Sequence, residues 1–107
     1  MVLRDTFMFE YEPTFSTDDL LNVSEVIVLS EIERLRQENH PDLPQTDIGL
    51  QDVAAIALNN MPPKYICSPI DKASPGEELR KEMDDLRRYA RRQILKAIKR
   101  VKAHPHD

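Results

Sequence analysis

Cysteine, glycine and tryptophan are almost missing from this chain, and each shortage removes a class of function. Of 107 residues, one is cysteine, two are glycine and none is tryptophan. Cys67 alone cannot close an internal disulfide, and no Cys-x-x-Cys or His-x-x-x-His pair supplies metal-ligand spacing. A zinc site built from His40 and Cys67 lacks further ligands. Gly49 and Gly76 are too few for a phosphate-cradling loop, so P-loop and GxGxxG readings fall away. Long apolar runs are absent as well. The longest, Val53 to Leu58, falls far short of the ~20 residues that span a bilayer. The start, MVLRDTFMFEYE, has no apolar h-region or small-residue cleavage site. Catalytic settings are missing too: Cys67 lacks a base and an orienting group, His104 and His106 fall in a short tail, and no carboxylate pair has an acid/base environment. These absences lead us to expect a cytoplasmic binding module that is not an enzyme and has no cofactor, metal or membrane span.

What is present is a strong charge asymmetry. The net charge of −4 hides an acidic stretch, residues 1–79, with 15 acids and 5 bases, and a basic stretch, residues 80–107, with 10 bases and 4 acids. No acid occurs from Leu86 to Ala103. Such a tail meets an anion, pairs with acidic residues of its own protein or a twin, or is a solvated helix face.

The chain divides into an aromatic N-terminal arm (1–16), a helical domain (17–103) and a tail (104–107). In the arm Phe7, Phe9 and Tyr11 alternate with a strand-like period before Pro13. A first helix is expected from about Asp18 to Asn39, with Thr17 as cap and Leu21, Val26, Val28, Leu29, Ile32 and Leu35 as its apolar stripe. Pro41 and Pro44 stiffen the following loop. Thr46 or Asp47 then opens a second helix, Ile48 to about Asn60, apolar nearly all round and so expected to be the central buried one. Met61-Pro62-Pro63 ends it, and Lys64 to Ser68 reads as a short strand in which Cys67 packs as a small hydrophobe. Ser74-Pro75-Gly76-Glu77 matches a capping box. The helix it opens runs without a breaker to about Ala103, some ~43 Å, with Leu79, Met83, Leu86, Ala90, Ile94, Ile98 and Val101 as its stripe. A helix this long overreaches so small a core unless a second chain covers it, so a homodimer is expected.

Only one feature offers recognition chemistry. Arg87 and Arg91, and Arg88 and Arg92, are i,i+4 pairs that stack guanidiniums along the last helix. Arginine forks bind phosphates and lie flat on rings. Tyr65 offers a stacking face, Lys64 a point charge, and Asn59 and Asn60 both donors and acceptors for a base edge. Alternatively, Tyr65 packs in a dimer core and the arginines pair with Glu31, Glu33 and Asp52.

The stretch Asp52-Val53-Ala54-Ala55-Ile56-Ala57-Leu58-Asn59-Asn60-Met61-Pro62-Pro63-Lys64-Tyr65 closely resembles the signature of the late competence protein ComFB family, with Ile66 supplying its following apolar position. Asn22, Glu25 and Val28 also suit the family's first helix. The resemblance covers about residues 20–68. It implies a small, mainly helical dimer that binds a cyclic dinucleotide, cyclic di-GMP or cyclic di-AMP, and passes the signal to a partner such as a transcription factor. One branch of the family carries zinc-holding cysteines in the loop before the signature. His40 to Thr46 has none, so zinc does not carry over.

Together these readings predict an all-α homodimer with one short β-strand and an extended N-terminal arm, acting as a cyclic dinucleotide receptor. In it Arg87, Arg88, Arg91 and Arg92 neutralise the phosphates and Tyr65 stacks on a base, with Asn59, Asn60 and Lys64 beside it. Arg4 and Asp5 of the arm close over the ligand. The rival readings are a protein-interaction adaptor with no small ligand, and a nucleic-acid-binding regulator that uses the basic helix.

Overall fold

The computed structural model describes residues 11–104. Its elements, in chain order, are β1 (Leu21–Asn22), α1 (Val23–Gln37), α2 (Asp47–Asn59), β2 (Tyr65–Ile66), α3 (Pro69–Ala73) and α4 (Glu77–Ala103). The mainly helical class is as expected. Phe7 and Phe9 of the expected arm lie outside the described residues. Tyr11 and Phe15 are irregular and exposed.

The strand after Pro62-Pro63 has a partner that sequence spacing did not reveal. β1 and β2 pair antiparallel, Leu21 opposite Ile66 and Asn22 opposite Tyr65. This moves the start of the first helix from Asp18 to Val23, and Thr17 caps nothing. Asn22 is the cap: its Oδ1 accepts from the backbone N–H of Ser24 at 3.1 Å. The same oxygen accepts from the N–H of Lys64 at 3.0 Å. One side chain thus ends the strand, begins the helix and ties both to the signature segment. α1 ends at Gln37 with Glu38 as its C-cap, and the next residue, Asn39, takes a φ of 55°. Asparagine tolerates this left-handed turn better than most residues.

α2 begins where expected, with Thr46 Oγ1 accepting from the N–H of Gly49 at 3.1 Å. The loop before it folds back closely, and a Cβ on Gly49 would fall 2.6 Å from Pro44 Cβ. α2 is not the central, fully buried helix. Val53, Ala54 and Ala57 are buried, but Ile48 and Ala55 are exposed. In a three-helix arrangement each helix has two neighbours, and the third side meets water. For the same reason Val26 and Leu29 of α1 lie half in solvent rather than in its stripe. Cys67 follows β2 and is exposed, not packed in it.

The capping box at Ser74 is also displaced. Ser74 ends the unpredicted one-turn helix α3, and α4 starts two residues later than expected, with Gly76 at its N-cap. α4 is the spine of the fold and packs most broadly on α2 and then α1. Glu31 of α1 meets Arg91, and Asp42, just past α1, meets Lys102. The two helices therefore run the same way. The apolar stripe behaves as two halves. Leu86, Ala90, Ile94, Ala97, Ile98 and Val101 are buried within this one chain, whereas Leu79 and Met83 are only half-buried. The overreach expected of the whole helix is thus confined to its first turns.

Ile94 is fully buried, so Ile94→Ala should cost about 2–5 kcal/mol of unfolding free energy. Leu95, one residue on, is 47% exposed, and Leu95→Ala should stay within about 0.5 kcal/mol of the parent. Urea unfolding of the two variants measures both.

Candidate functional site

α4 carries the four arginines, and its 3.6-residue period sends them to different places. Arg87 and Arg91 lie toward α1. Arg87 donates to Asp84 Oδ1 at 2.9 Å. It reaches into a cleft of about 210 Å³ walled by Val26 and Ile27 of α1, Ile66 of β2, and Leu79 and Met83 of α4. Arg91 Nε lies 3.4 Å from Glu31 Oε2, the oxygen that also accepts from Arg34 at 2.9 Å. Arg88 pairs with Asp85, and the Arg92 guanidinium sits 5.5 Å from the centre of the Tyr89 ring. Arg88 and Arg92 are exposed.

The remaining expected residues do not join them in a single cleft. Lys64 bonds Glu82 at 2.8 Å and lines a second cleft, about 280 Å³, with Pro62, Pro63, Leu86 and Tyr89. Tyr65 is 60% exposed in β2, so it is not packed in this chain's core. Asn59 is exposed at the last turn of α2. Asn60 is the cap, its side-chain amide donating to the Ile56 carbonyl at 2.8 Å. Arg4 and Asp5 lie outside the described residues. A hollow of about 390 Å³ over the His40–Gln45 loop, bordered by Glu33 and Arg36, is lined by none of them.

These arginines differ in how firmly they are held. The Arg87–Asp84 and Arg88–Asp85 pairs join exposed side chains three residues apart. Such pairs are worth about 1 kcal/mol or less and exchange readily for a stronger anion. Arg91 is bound to the fold. Its partner Glu31 is the one buried charged residue among those described, at 6% exposure. A buried carboxylate is costly unless hydrogen-bonded cations compensate it. Burial alone would raise the Glu31 pKa, but hydrogen bonds from Arg34 and Arg91, with their charges, outweigh it and hold the carboxyl below its ordinary value of 4.5. Asp42 is also held below its ordinary value, first by its hydrogen bond from Lys102.

Sequence reasoning missed several residues that build the site. Ser24, buried at 1%, donates its hydroxyl to the Pro62 carbonyl at 2.6 Å, and the Val23 N–H donates to the Lys64 carbonyl at 2.6 Å. Pro62 and Pro63 have no N–H to satisfy, so their segment needs partners only for its carbonyls. Asn22-x-Ser24 was the available signal. Among the described residues the cation on a ring is Arg92, and the ring is Tyr89 rather than Tyr65.

A carboxyl with a depressed folded-state pKa stabilises the fold above its unfolded value, and that stability drains away as pH falls through the folded value. The Glu31 contribution is therefore present above about 4.5 and lost progressively below it. Glu31→Gln should lower stability at neutral pH and flatten the acid limb of the stability–pH curve, as read by thermal melts between pH 7 and 3.

Residues 21–105 match the model of the late competence development protein ComFB family. That span begins at β1 and takes in α1, the signature on α2 and the whole of α4. No curated protein and no solved structure matches the chain. With β1, the Pro62–Pro63 segment and α4 all within the matched span, the chain belongs to the late competence development protein ComFB family.

Proposed function

We propose that this protein is a competence-related regulator that works by binding, without chemistry, and that its signal is a cyclic dinucleotide held where two copies of the chain meet. The observation that carries the reading is Arg87, an exchangeable cation reaching into a part-apolar cleft beside β2. The cleft's volume of about 210 Å³ is below the ~300–1,000 Å³ that small-molecule sites usually enclose. One chain therefore covers part of such a ligand, and a second chain supplies the rest.

The apolar surface around the cleft suits that arrangement. Val26 and Leu29 on α1 are about half exposed, Ile70 on α3 is 75% exposed, and the first turns of α4 leave Leu79 and Met83 half-covered. A two-fold axis through this face brings two copies of Arg87 together. A cyclic dinucleotide is itself two-fold, with one phosphate for each guanidinium. Tyr65 is exposed on the face of β2 opposite Ile66, away from its own chain's cleft, so its ring is offered to a base only at the second copy's half of the site. Ligand seated at the interface shifts the balance between arrangements of the dimer and so alters which downstream protein, for example a transcription factor, is bound.

Calorimetric titration of cyclic di-GMP and cyclic di-AMP into the full chain tests this. One of the two should bind a species that light scattering measures as a dimer. Arg87→Ala should weaken binding about 10- to 100-fold, the cost of about 1.5–3 kcal/mol for a hydrogen bond to a charged group. Arg36→Ala, which breaks only a pair with Glu33, should leave it unchanged. Binding of neither nucleotide would favour an adaptor that recognises protein alone.

A further inference from the structure

Most lysines and arginines among the described residues have a carboxylate partner: Arg34, Arg36, Lys64, Lys72, Lys81, Arg87, Arg88, Arg91 and Lys102. Among the described residues Arg80, Arg92, Lys96, Lys99 and Arg100 have no carboxylate partner, although Arg92 rests on the Tyr89 ring. Four of those five lie within nine residues of α4. Their spacing, 92, 96 and then 99 or 100, puts them on one face of the helix, and all four are exposed.

Ordinary reasons account for only part of this strip. Cations in a last turn offset the negative end of the helix dipole, which explains Arg100 and Lys102. That effect fades within one turn, so it does not reach Arg92 or Lys96. A merely solvated face would mix both signs, yet no acid falls between Leu86 and Ala103. The opposite face is used up, because Ala90, Ile94, Ala97, Ile98 and Val101 are buried in the chain's own core. The cationic face carries no continuous apolar stripe to seat a second helix or enter a lipid layer; its apolar neighbours are the Tyr89 ring beneath Arg92 and Leu95 at one edge. Leu95, half-exposed, lies on the flank beside Arg91 and Glu31.

From this we infer that the outward face of the C-terminal half of α4, carrying Arg92, Lys96, Lys99 and Arg100, binds the phosphate backbone of duplex nucleic acid. The four cations extend along ~12 Å of a straight helix. Duplex DNA presents a charge about every 1.7 Å along its axis and rewards each cation that displaces a counterion. Contacts made to phosphate alone carry no base information, so the binding is independent of base sequence. The Arg87 cleft lies on the α1 side of α4, so the proposal neither needs nor excludes a ligand there.

Anisotropy of a short fluorescent duplex, titrated with the full chain, tests the proposal. Four phosphate contacts predict affinity of the parent falling ~150-fold between 50 and 200 mM salt. The triple variant Lys96→Gln, Lys99→Gln, Arg100→Gln should lose duplex binding while its thermal unfolding falls only by the small cost of one cation lost from the helix end. The charge-keeping triple variant Lys96→Arg, Lys99→Arg, Arg100→Lys should bind as the parent does. Absence of parent binding at low salt, undiminished binding by the glutamine variant, or equal binding to phosphatidylserine vesicles would overturn it.

Discussion

Burial of Ala90, Ile94, Ala97, Ile98 and Val101 against α1 and α2 decides what the rest of α4 is free to do. Small residues alternate with isoleucine along this seam, and Ala54 and Ala57 face it from α2. The seam fixes the rotation of α4 about its own axis. Arg87 and Arg91 are thereby turned toward α1, and Arg92, Lys96 and Lys99 toward solvent. It also fixes where packing ends. Past Leu86 toward its N-terminus the helix has outrun its neighbours, and Leu79 and Met83 are left as one wall of an open cleft.

A small set of hydrogen bonds holds the other wall. Asn22, Val23 and Ser24 each bond to the segment from Pro62 to Lys64. This gives the family signature a structural reason. Its prolines turn the chain sharply out of α2 and present carbonyls that the start of α1 can use, while β2 is aligned against β1. Tyr65 and Ile66 then point to opposite faces of the pair, one exposed and one against the cleft. The polar pins and the apolar seam together place a cation and a half-covered apolar wall on one cleft, with the Tyr65 ring on the opposite face of β2.

Much of this was legible in the sequence. The alanine-rich stretch of α2, its Thr46 cap and the unbroken run of α4 to Ala103 are local signals and appear as expected. The two-residue β1 was not legible, because a strand that short has no periodicity and is defined only by a partner 43 residues away. Its presence displaced the expected start of α1. Arg91 shows the limit for the site. Spacing gave its helix face but not whether Glu31 lay buried across from it, and that contact makes Arg91 a structural cation. The same spacing grouped Arg88 and Arg92 with Arg87, although the seam turns them to a different side.

Hydrogen–deuterium exchange on the full chain, with and without a saturating cyclic dinucleotide, tests the central claim most directly. Binding at an interface built on the Arg87 cleft predicts slower exchange in β1, the start of α1, β2 and the first turns of α4, with the already buried seam little changed. Unaltered exchange in those segments, or protection confined to the His40–Gln45 loop, would contradict it.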